Sequence, residues 1–100
     1  MEKEIVWTET ALNQLEDIYF YILEESKSDF TSDKVVDAIS DSVKILSKHW
    51  EIYELDEMKF DNNGNYRAYE TYSYRISYKI SELSIEIIRV RHTSREPKNL

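Results

Sequence analysis

The chain contains no cysteine, one glycine, one proline and two histidines in 100 residues. Without cysteine it forms neither a disulfide nor a thiolate metal centre, which fits a reducing compartment. A single glycine cannot build a glycine-rich phosphate loop. Two histidines alone give no support for a zinc site, and no serine has Asp and His partners at a recognisable spacing for nucleophilic catalysis. No apolar run approaches the roughly 20 residues needed to cross a bilayer. The opening M-E-K-E-I-V-W-T has neither the basic region nor the apolar stretch of a signal peptide. The expectation is a soluble, cytoplasmic protein with no cofactor, no metal and no membrane association.

Arginine is the remaining scarcity. Residues 1–66 hold six Lys and no Arg against sixteen Asp and Glu, whereas residues 67–100 hold seven basic residues against four acidic ones. The formal net charge of −7 therefore describes an acidic body with a basic end. A negative total disfavours general affinity for nucleic acid, but a local positive patch leaves room for a restricted anionic or acidic-protein site. Length and a hydrophobic fraction of 41% suit one globular domain over residues 1–100.

Periodicity assigns most of the chain. Glu4–Trp7 is a short run of strand formers. Thr8 suits a helix cap with Glu9 in the first turn, and Ala11, Leu12, Leu15, Ile18, Tyr19, Ile22 and Leu23 follow at the spacing of one helical face. Glu25–Phe30 reads as a connection, and a second helix is expected from about Thr31 or Ser32. Its apolar face is Val35, Val36, Ile39, Val43, Leu46 and Trp50. Residues 51–65 read as a loop that ends in D-N-N-G-N, whose residues tolerate a left-handed backbone. Strands are expected over 66–72, 74–81 and 83–91, with a tight hairpin at Ser81-Glu82.

In the second of these strands Tyr74, Ile76, Tyr78 and Ile80 share one face, and Arg75, Ser77 and Lys79 share the other. At Ile87-Ile88 both faces turn apolar, as in a strand central to a sheet. The predicted class is α+β in the order β-α-α-β-β-β, a helical hairpin on one face of a small, mostly antiparallel sheet. The arginines then lie on the opposite, open face.

These residues resemble the RelE/ParE superfamily of type II toxin–antitoxin modules. The matching pieces are I-V-W-T-E-T-A-L-N-Q-L at 5–15, I-Y-F-Y-I at 18–22, Y-R-A-Y at 66–69, Y-R-I-S-Y at 74–78 and I-I-R-V-R-H-T-S-R-E-P at 87–97. The ending H-x-x-R-x-P, His92 to Pro97, is more similar to the ParE branch, whose members poison DNA gyrase. The resemblance implies a toxin that binds an essential target and is neutralised by a cognate antitoxin in a hetero-oligomer. The other branch implies a ribosome-dependent mRNA endoribonuclease, and a third reading is a degenerate, non-toxic relative. The acidity of this chain departs from the RNA-cutting branch.

Under the nuclease reading, Glu57 is the base, Arg75 the phosphate clamp and His92 the acid. Each also has a structural reading: Glu57 as a solvated loop carboxylate, Arg75 in an ion pair with Glu70 or Glu86, and His92 packed at a strand end. Arg89, Arg91, Arg95 and Lys98 form the densest basic cluster, suited to an antitoxin's acidic tail, a target such as gyrase or RNA, or internal pairing. Tyr66, Tyr69, Tyr72, Tyr74 and Tyr78 suit either base stacking or core filling.

Overall fold

The structure, a computed structural model, describes residues 1–95. Strand β1 (Glu4–Trp7) leads into helices α1 (Glu9–Ser26) and α2 (Asp29–Ser42). A 3-10 turn at Lys44–Ser47 follows. Strands β2 (Tyr66–Thr71), β3 (Tyr74–Ile80) and β4 (Ser84–His92) complete the sheet, and a 3-10 turn covers Thr93–Arg95. The sheet order is β1-β4-β3-β2, with β1 parallel to β4 and the other pairings antiparallel. The architecture is the expected α+β one.

Local chemistry sets the helix ends. Thr8 accepts the Ala11 N–H at 3.2 Å, and its hydroxyl donates to the Ile87 carbonyl at 2.9 Å, so one side chain caps α1 and ties it to β4. At the other end Lys27 turns left-handed (φ 55°) and its N–H closes on Leu23 at 2.8 Å. Ser28 immediately caps α2 through the Thr31 N–H at 3.2 Å. Helix α2 therefore begins at Asp29, earlier than the Thr31–Ser32 expected from apolar spacing, because a cap is set by one hydroxyl and not by the apolar stripe. It also ends earlier. The chain leaves α-helix at Ser42, so Leu46 lies in the 3-10 turn and Trp50 beyond it.

The core lies between the helices and one face of the sheet. Ala11, Ile18, Ile39, Val43 and Leu46 meet Tyr69, Tyr74, Ile76, Tyr78, Ile85, Ile87 and Val90. Leu12, expected on the buried face of α1, is 51% exposed. Three tyrosines are core: Tyr78 donates to the Trp50 carbonyl at 2.7 Å, and Tyr69 is 2.8 Å from the Ser42 hydroxyl and stacks on Tyr53. Tyr72 is exposed, because Tyr72 and Ser73 both adopt positive φ (51° and 66°) in the tight β2–β3 turn. Lys3 closes the β3–β4 connection, donating to the carbonyls of Ser81 and Glu82 at 2.7 and 2.6 Å.

Candidate functional site

The open face of the sheet is laid out in cross-strand rows. Register places Glu70, Arg75 and Arg91 side by side, then Ala68, Ser77 and Arg89, then Tyr66, Lys79 and Glu86. The middle row is small on β2 and β3, which leaves a hollow between larger neighbours. A cavity of about 230 Å³ occupies it, with Ser77 and Ile88 in its lining beneath Arg75, Arg89 and Arg91. Asp56, Met58, Lys59 and Tyr66 close one side.

A β-bulge is what turns the arginines outward. Ser77 pairs with Arg89, but Tyr78 pairs with Ile87, so Ile88 is an extra residue on β4. Before the bulge Ile85 and Ile87 face the helices; after it Val90 does. With strict alternation, Arg89 and Arg91 would share the face of Ile85 and Ile87 and be forced into the core. The doubled Ile87-Ile88, read from the sequence as the mark of a central strand, is that phase shift. Strand β4 is central as well, lying between β1 and β3.

The 51–65 segment is a built wall of the site. Glu54 and Asp56 extend the β2 edge, with Ala68 N–H donating to Glu54 O (3.2 Å) and Asp56 N–H to Tyr66 O (2.9 Å). Asn62 cross-braces it, donating to Tyr66 O at 2.7 Å and accepting the Gly64 N–H at 2.9 Å. Asp56 then reaches over the sheet to Arg75 at 2.7 Å, and the same oxygen accepts the Met58 N–H at 3.0 Å. Arg75 therefore pairs with Asp56, where Glu70 or Glu86 was expected. Glu70 is its cross-strand neighbour but is exposed, and Glu86 accepts the Ser81 hydroxyl at 2.8 Å.

The three nuclease candidates are not gathered. Arg75 faces the cavity, and Glu57 is an exposed residue next to Asp56 in the wall. His92 pairs with Tyr74 on the helix-facing side, its ring edge-on to that tyrosine at 5.2 Å between centroids. Its Nδ1 accepts the Ser94 N–H at 3.2 Å, which places the ring proton of the neutral imidazole on Nε2.

Of the basic cluster, Arg89 and Arg91 line the cavity, and among the described residues no ion pair joins either to a carboxylate. Lys98 and the Arg95 side chain lie outside the described residues. Arg67 departs from the expected arginine face: it aligns with Tyr78 on the helix side and donates to the Tyr53 carbonyl at 2.7 Å. Sequence reasoning missed Asp56, Met58 and Lys59. Their only signal was a sequence position in an irregular segment, which carries no period to place them.

Among the described residues no helix is long and apolar enough to cross a membrane, and no group of His, Asp or Glu could hold a metal ion. The sequence model of a family described as the ParE toxin of type II toxin-antitoxin system, parDE, matches residues 5–97. No curated protein matches the sequence. Among solved structures, a chain from a chromosomal ParDE TA system from P. aeruginosa aligns with a TM-score of 0.73 at 18% identity, covering 91% of this chain and 96% of that one. A chain of the YoeB dimer from Staphylococcus aureus aligns with a TM-score of 0.56 at 17% identity, covering 91% and 97%. At such identities the likeness is one of fold.

Proposed function

This chain belongs to the ParE toxin family of type II toxin–antitoxin systems, and from that membership we propose that it arrests growth by binding DNA gyrase and is neutralised by a cognate antitoxin in a hetero-oligomer. Its action on this reading is non-covalent, through protein contacts made by the arginine-bearing face. The observation that carries the reading is the placement of His92. An acid for RNA cleavage must reach the leaving oxygen of a phosphate held by Arg75, yet His92 lies on the other side of the sheet, against Tyr74. The carboxylate beside Arg75, Asp56, is engaged by that arginine and by the Met58 N–H. A ribosome-dependent mRNA endoribonuclease has the three arginines in its favour, but neither Glu57 nor His92, the base and acid expected for it, lines the cavity beside them.

Induction of the isolated gene in a bacterial host, followed by plasmid topology and total RNA, tests this. Growth arrest with altered supercoiling or DNA breaks and intact transcripts is expected. Rapid transcript loss with unchanged topology would replace the reading with the nuclease one, and normal growth with folded protein present would mark a degenerate relative. The double variant Glu57→Gln/His92→Gln is expected to stay fully toxic.

A further inference from the structure

We propose that Asn63-Gly64 is a self-modifying site, at which the asparagine side chain closes on the glycine nitrogen, sheds ammonia and is hydrolysed by water to isoaspartate or aspartate. The isoaspartate product releases the wall that holds Asp56 over Arg75. The site is independent of what the open face binds.

The sequence supplies the reactants. Of Asn13, Asn62, Asn63, Asn65 and Asn99, Asn63 alone precedes glycine. A following side chain would crowd the ring closure, and glycine has none. Gly64 stands at φ 98°, and a Cβ at that position would meet no atom within 4 Å, so the approach is open. Asn63 is itself exposed.

The fold supplies the placement. Asn63 Oδ1 accepts the Asn65 N–H at 3.1 Å, so a donor already sits on the oxygen where negative charge develops as Cγ is attacked. The Gly64 N–H, whose proton must leave, donates to Asn62 Oδ1 at 2.9 Å. Electrophile and nucleophile are thus each held by a neighbour within one turn. Hydroxide from solvent takes the Gly64 proton, the nitrogen bonds to Asn63 Cγ, and the side-chain nitrogen leaves as ammonia with a proton from water. Water then opens the cyclic imide. Cleavage at Cγ gives aspartate. Cleavage at the Asn63 backbone carbonyl gives isoaspartate, whose main chain runs through Cγ and is longer by a carbon. Nothing is oxidised or reduced.

Asn62 carries the change into the wall. Its Oδ1 accepts the N–H groups of Gly64 and Tyr66 at 2.9 and 3.3 Å, and its Nδ2 donates to the carbonyls of Asp56 and Tyr66 at 3.3 and 2.7 Å. Tyr66 is fixed in β2. Ring closure strips the Gly64 nitrogen of its proton, and the extra carbon of isoaspartate then moves the restored N–H away from Asn62. Asn62 shifts, and the Asp56 backbone that it holds shifts with it. Aspartate restores the original backbone and leaves the brace intact.

The test ages the unlabelled full chain at mildly alkaline pH beside the free peptide Phe60–Arg67, which trypsin releases by cutting after Lys59 and Arg67. Mass spectrometry should show a gain of about 1 Da at Asn63, begun in the folded chain before the free peptide has fully converted and faster as pH rises. Asn63→Gln should keep its original mass. In a parallel ¹⁵N-labelled sample, the isoaspartate fraction should show displaced amides at Met58, Gly64 and Tyr66, with Ile76 and Ile87 unmoved. Asn63→Asp, which adds the charge without the longer backbone, should keep Met58 and Tyr66 in place. A folded chain still unmodified after the free peptide has converted, or one in which another asparagine converts first, overturns the site. Isoaspartate with Met58 and Tyr66 unmoved, or Asn63→Asp displacing them as far, overturns the release of the wall.

Discussion

The Arg75 side chain, 13% exposed, meets that of Asp56, 12% exposed, guanidinium to carboxylate at 2.7 Å. Taking both groups out of water is tolerable only while they remain together, so removal of one partner is far more damaging than loss of a surface pair. Asp56→Ala should destabilise the fold by about 3 kcal/mol in chemical denaturation, whereas Glu57→Ala, one position on and exposed, should change it by less than about 0.5 kcal/mol. Equal effects would mean that the pair does not anchor the wall. The sequence offered both carboxylates on equal terms. Only the fold of the 51–65 segment over the sheet distinguishes the one that reaches Arg75.

Elements differ in how openly they announce themselves. Helix α1 was legible at its start, where apolar spacing and the Thr8 cap agree, but Glu25 and Ser26, read as connection, belong to its last turn. Helix α2 was legible in its middle and misplaced at its ends. Ser28 competes with Ser32 as a starting residue, and Ser32 is instead buried, donating to the Tyr19 carbonyl across the hairpin. In strand β4 the Ile88 bulge decides which side chains are wet. Deletion of Ile88 removes the extra residue and restores plain alternation, so Ile87 and Val90 still face the helices, Arg89 and Arg91 still face out, and cooperative thermal unfolding should be retained. One alanine inserted between Ile88 and Arg89 would instead carry Arg89 and Arg91 to the helix side and should abolish the transition. If the insertion variant melts normally, the one-residue phase shift is not what sets the arginine face.

Across the molecule, the core has an unusual polar content in its tyrosines. Burial pushes the Tyr69 phenol up to about 12, with the Ser42 hydrogen bond pulling the other way and Tyr53 adding to the rise. Burial raises Tyr78 further still. A phenol whose folded pKa exceeds its unfolded value of 10.0 keeps its proton longer in the native state. Its contribution is therefore fully present below pH 10 and is lost as pH rises towards 12. Stability should be flat from neutral pH to about 10 and then fall by roughly 2 kcal/mol or more by pH 12. Tyr69→Phe should shrink that fall in denaturation curves taken across this range. An unchanged profile would remove Tyr69 as its cause.

Periods of 3.6 and 2 in the apolar residues, with turn chemistry between them, determined the element order, the α+β class and the membership of most core positions. They did so because burial of one face is a demand each element makes alone. The confinement of arginine to the last third was equally plain from composition. The composition of the cavity wall, the partner of Arg75 and the side on which His92 lies were decided by tertiary structure. Each depends on register, on one extra residue in β4 and on an aperiodic segment held by Asn62 and Asp56. Such contacts join residues distant in sequence and leave no period behind. The arginine cluster therefore resolved only in three dimensions: Arg75, Arg89 and Arg91 onto the open face, and Arg67 into the fold's own support.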